Sequence, residues 1–178
     1  MRFAILFFAL HWLTIAAPRL NLAAVTAMEK SFNRRLEREV LDGDPFLLLG
    51  LTRGIYIEGF GIVYSAEVNL AQGPGISPFH PEVTKDDVAR LRQKKMARLP
   101  LLRNAMKQQL LDMAGSLDGL PAEQQIVLGV TLFRHSWEDT TGLPHQVVMQ
   151  AQKRQLLEIQ TGRRDRAQLD AVVRVQEF

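Results

Sequence analysis

The stretch Ile126–Val148, IVLGVTLFRHSWEDTTGLPHQVV, carries the choice between a helical and a sheet-built second half of the chain. Its first eight residues are apolar on both faces, which marks a central strand covered on two sides. Glu138, Asp139, Thr140 and Thr141 are polar turn formers, and Gly142 allows a left-handed residue. Pro144 suits the first position of a helix and Gly162 a helix end, so a helix is expected over 144–161. In that reading the two acids sit just before a helix N-terminus, where the dipole favours them, and Trp137 covers the end of the core.

The same stretch contains groups capable of chemistry. His135, Glu138, Asp139 and His145 have metal-binding or acid–base side chains, and His80 can join them from a Pro-rich loop. The spacing opposes a helix-borne metal site. Such sites use His pairs one turn apart, and here ten residues and a turn separate His135 from His145. A strand-to-helix turn is the preferred reading, with no cofactor expected.

Upstream, TAMEKSFNRRLEREVLDGD at 26–44 reads as a helix. Thr26 and Glu29 stand at capping-box spacing, and Met28, Phe32, Leu36 and Val40 share one face. In IVYSAEVNL, Ile62 to Leu70 alternate inward and outward, and EGFG at 58–61 supplies glycines for a hairpin with the preceding strand-forming run. Glu67 and Asn69 then share the polar face, and Glu67 is a further weak acid–base candidate beside Glu58. The 71–81 segment, AQGPGISPFHP, is a loop. Thr84 caps a long helix with Asp86 and Asp87 in its first turn, and Pro100 should kink or split it. LDAVVRVQEF at the end reads as a short last strand. The fold expected is α+β, a single domain with a small mixed sheet, in the order αββαβα(β). The sheet comprises a β-hairpin and a central apolar strand, packed by a long kinked helix and a second helix.

Residues 90–107, RLRQKKMARLPLLRNAMK, hold seven Lys or Arg and no acid. The other 15 cations face 19 acids, a balance of −4 within a chain total of +3. Arg90, Lys94 and Arg98 share one helix face and are the candidates for an anionic envelope surface or another polyanion. Arg92 and Lys95 fall on or beside the apolar stripe, so no coherent basic face forms and a solvated helix is preferred. Stacking aromatics are missing from this stretch, and sequence-specific nucleic-acid binding is not expected.

The N-terminus, MRFAILFFALHWLTIAAP, has one early charge, an apolar run and then small residues. This is the layout of a secretory signal over 1–17, with Thr14 and Ala16 at the cleavage positions and a later site after Ala27. The run is shorter than the ~20 residues that a membrane span needs. An N-terminal helix over 18–45 and one domain over 46–178 follow, for a protein of the periplasm or extracellular space. With no cysteine, the chain has no disulfide and no thiol nucleophile, and its stability must come from its core. No nucleophile-elbow serine and no phosphate-binding glycine loop occurs.

GIYIEGFGIVYSAEVNL, ISPFHP and VLGVTLFRHSWEDTTGLP together resemble a set of uncharacterised exported bacterial proteins. These share a Tyr-x-x-Gly-aromatic-Gly strand and a Ser-Trp-Glu-Asp turn. No activity or catalytic residue comes with that resemblance. The residues themselves favour a binding or assembly module. The alternative is an exported metal-assisted or acid–base hydrolase built on the 135–145 loop.

Overall fold

Alternation along Gly61–Val68 sets the architecture. Ile62, Tyr64, Ala66 and Val68 are buried while Ser65 and Glu67 are exposed, so one face of this strand takes the whole core. A computed structural model describes residues 20–75 and 82–178. The leader expected over 1–17 and His80 lie outside the described residues.

Helix α1 spans Leu22–Glu39 and is capped by Asn21, whose side chain accepts the Ala23 N–H at 2.9 Å. Thr26, the expected cap, lies a turn inside it. Val25 is buried and extends the apolar face one turn upstream, which favours the earlier start. Phe32, Leu36 and Val40 are fully buried, as their spacing implies.

Strands β1 (Leu48–Ile57) and β2 (Gly61–Val68) form the expected antiparallel hairpin. Gly61 has φ +142°, and a Cβ there would lie 2.0 Å from the Gln125 carbonyl oxygen, so only glycine fits. Helix α2 (Lys85–Ser116) then crosses over to β3 (Gln125–Leu132), which lies parallel to β2. The Thr84–Asp87 capping box is present. Pro100 does not split α2. It is exposed, on the side where water can serve the carbonyl that proline leaves unpaired.

The expected helix over 144–161 is corrected. Residues Gln146–Gln152 form strand β4, antiparallel to β3, and helix α3 begins only at Lys153 and ends at Gln160. Val147, Met149 and Ala151 are buried between half-buried glutamines and Val148, a period of two that outweighs the helix-start signal of Pro144. Gly162, with φ +74°, closes α3 as expected. A short helix α4 (Leu169–Val172) leads to β5 (Arg174–Glu177), the expected last strand. The sheet is β1-β2-β3-β4-β5, with only the β2–β3 pair parallel. The order is therefore αββαββααβ: α+β as expected, with one strand and one short helix more.

All the larger helices pack on one face. Phe32 and Leu36 of α1, Leu102, Met106 and Leu110 of α2, and Leu156 of α3 share one core with Tyr64, Leu128 and Met149. The expectation that β3 is covered on both sides is corrected too. It is central, but no described helix packs on its outer face, where Val127 is buried by its neighbours in the sheet and Gly129 and Thr131 are only half-buried. Along the outer edge of β1, Asn33 accepts from the Thr52 N–H and hydroxyl, and Glu29 from the Gly54 N–H. Among the described residues no helix is long and apolar enough to cross a membrane.

Candidate functional site

The loop between β3 and β4 is fastened to α2. Lys95 projects from the buried side of α2, and its Nζ donates to Glu138 Oε2 at 2.5 Å and to the Phe133 carbonyl at 3.0 Å. Both charged side chains are 3% exposed. Glu138 also accepts the His135 N–H at 3.0 Å, so each of its oxygens has a donor. Next to it, Asp139 accepts the Thr141 N–H at 2.9 Å and lies 3.5 Å from Arg92, whose Nε donates to the Thr141 carbonyl. The Thr141 hydrogen bonds, with Arg92 adding to them, hold the Asp139 carboxyl below the usual carboxylate range.

His135 lies stacked on Trp137, centroids 5.1 Å apart at 9°, with the Phe133 ring edge-on at 4.9 Å. Trp137 is 36% exposed and rests over Gly73. It is an outer cover of the loop and not the buried end of the core. The two acids are corrected in the same way. A strand follows them, not a helix, and their partners are α2 cations and the loop's own backbone.

The space beside the Lys95–Glu138 pair is small. The cavity over Lys95 and Glu138 has a volume of about 10 Å³, enough for roughly one water. His145 is exposed on the far side of the loop, its N–H donating to the Phe178 carbonyl. Glu67 is exposed on β2, whereas Asn69 is buried with its side chain accepting the Ala71 N–H, so the two do not share a polar face. Among the described residues, no group of three or more His, Asp or Glu is placed to hold a metal ion.

Six of the seven cations of 90–107 prove to be internal clamps. Arg90 pairs with Asp87, Arg92 with Asp139, Lys95 with Glu138, Arg98 with Asp42, Arg103 with Glu177 and Lys107 with Asp170. Arg98 also donates to the Leu70 carbonyl. Of the three polyanion candidates, Arg90 and Arg98 thus already face carboxylates. Lys94 lines a groove of about 210 Å³ with Arg90, Asp87 and Gly73. Charges scattered from residue 42 to residue 177 converge on this one helix.

One buried charge gave no sequence signal. Lys153, 5% exposed at the start of α3, donates to the Leu117 and Leu120 carbonyls at 2.7 Å. Burial lowers its pKa, with Asp118 opposing the shift. In the sequence it is one lysine in a polar run. Its role follows only from the carbonyls left at the end of α2. Tyr64 is likewise fully buried, and burial with the nearby Glu29 pushes its phenol far up.

Among the described residues, the outer face of the sheet is less covered than the inner one. Register places Arg53, Ser65, Gly129, Val148 and Gln176 in one row across the outer face. The next row holds Ile55, Val63, Val127, Gln150 and Arg174. Ile55 is 62% and Ile57 46% exposed. Neither the family models, nor the curated proteins, nor the solved structures offer a match to this chain.

Proposed function

We propose that this is an exported bacterial protein that works as a binding or assembly module through the outer face of its sheet. One observation carries the reading. Glu138 and Asp139, the two acids of the candidate loop, are held by the fold itself, while a sheet face of aliphatic, amide and single charged residues stands uncovered among the described residues. Lys95, Glu138, Asp139 and Arg92 hold the 133–145 loop to α2, and the cavity above them is too small for a substrate. The face mixes aliphatic side chains with amides and single charges, the composition of a non-obligate contact surface.

The N-terminal signal pattern supports delivery to the periplasm or beyond. A photo-crosslinking amino acid placed at Val63 or Val148 in producing cells tests the site of action. Adducts should arise from these positions and not from Asn104 or Arg154 on the helical side. Equal labelling from both sides, or none from the sheet face, overturns the reading.

A further inference from the structure

We infer that the outer sheet face is the contact surface of a symmetric dimer of this chain, with Arg53 of each copy against Glu67 of the other. This rests on the reading of that face as a binding surface and names its occupant.

The first support is β3 itself. Its sequence is apolar on both faces, yet the described helices cover only one. Val127, on the other, is 8% exposed within a single-layered sheet, flanked by half-buried Val63 and by Gln150. Beside it stands Gly129, in mid-strand, where glycine weakens a strand. Among the described residues nothing requires glycine there: a Cβ would meet only the Tyr64 carbonyl oxygen, at 3.9 Å. Close approach of another backbone is one of the uses of a glycine inside a strand.

The second support is charge. Arg53 and Glu67 are exposed, and neither has an ionic partner among the described residues, whereas six cations on α2 do. Arg53 lies directly opposite Ser65, and Glu67 is two residues from Ser65 on the same strand. A two-fold axis lying in the interface and bisecting these two charges exchanges them, giving two reciprocal ion pairs from one operation. A single-sign face would repel its own copy; here the reciprocal Arg53–Glu67 pairs attract it, with Arg174 adding one further cation per copy at the β5 edge. Ser65 sits beside both charges, falls close to the axis and meets Ser65 of the second copy. Gly129 is its in-register neighbour, so the small residues lie where the two sheets come closest.

The size of the face agrees. Five strands about 4.8 Å apart and roughly seven residues long give a footprint on the order of 500 Å² per copy. The pair therefore buries about 1,000 Å², at the lower bound for a specific interface.

The chain has no cysteine, so single cysteines report proximity without background. In the full chain, Ser65→Cys should give a disulfide-linked homodimer under mild oxidation, whereas Asn104→Cys on α2 should not. By sedimentation equilibrium, Arg53→Glu and Glu67→Arg should each weaken self-association by about tenfold or more. The double charge swap should restore it to within a few fold. Gly129→Leu should abolish association while circular dichroism shows the fold intact.

A monomer at all concentrations, or a double swap that restores nothing, overturns the dimer. If the chain is monomeric but Val63 still crosslinks to another macromolecule in cells, the dimer is wrong and the binding-module reading stands. If neither crosslink nor dimer forms, both fall.

Discussion

Lys95 and Glu138, 43 residues apart in sequence, form an ion pair 2.5 Å long from which solvent is almost excluded. Each also holds a backbone group, Lys95 the Phe133 carbonyl and Glu138 the His135 N–H. Removing one member leaves the other charge buried without a counter-ion, which costs about 3–5 kcal/mol. Lys95→Met and Glu138→Leu should therefore each destabilise strongly, and the double variant by clearly less than their sum. Chemical denaturation of the four proteins checks this cycle. The same melts should rank Trp137→Ala below both single variants, because Trp137 is part-exposed and leaves no buried charge behind.

Lys153 makes the stability of the fold depend on pH. Its folded-state pKa is depressed, so between that value and 10.5 the unfolded chain binds more protons than the folded one. Its burial penalty therefore fades as pH rises through that window and is fully present below it. Measured against Lys153→Met, the wild type should gain relative stability from neutral pH towards pH 10.5. At neutral pH the variant should still be the less stable by roughly 1–3 kcal/mol, since the Leu117 and Leu120 carbonyls lose their donor. A flat difference between the two proteins over that range would contradict the assignment.

Two strand glycines should respond in opposite ways. Gly61→Ala forces a Cβ onto the Gln125 carbonyl at a positive φ and should destabilise by about 3 kcal/mol or more. Gly129→Ala meets open space and should leave the folding stability of the monomer unchanged or raised by up to about 1 kcal/mol. Thermal melts under monomeric conditions compare them directly.

The proposed export predicts a definite cleavage position, because α1 starts at Leu22. Cleavage after Ala27 would remove Asn21 and the buried Val25, whereas cleavage after Ala16 keeps both. The mature chain should begin at Ala17, as read by N-terminal sequencing of the exported protein. A start at Met28, or intact Met1, would refute it.

Local patterns were the legible part of this fold. Phe32, Leu36 and Val40 announced the buried face of α1, the Thr84–Asp87 turn announced the start of α2, and the glycines at 59 and 61 announced the hairpin. Strand β4 was missed because Pro144 mimics a helix start, and because a seven-residue strand owes its existence to pairing with β3 and β5. At the candidate site, the one usable signal was Lys95 beside an apolar stripe, a cation that must be either paired or misplaced. Its partner could not be read, since acids at 42, 138, 139, 170 and 177 carry no sequence mark of facing one helix.

The side chains that α1 lends to the rim of the sheet govern how large an assembly can grow. Asn33 and Glu29 occupy the outward N–H groups of Thr52 and Gly54, the positions at which an added strand would register. At the opposite rim β5 is only four residues long. Lateral extension, the route to fibres, is thus obstructed at both ends while the flat surface stays available. Copies of this chain that meet are steered towards a closed pair, with no growing end left to propagate.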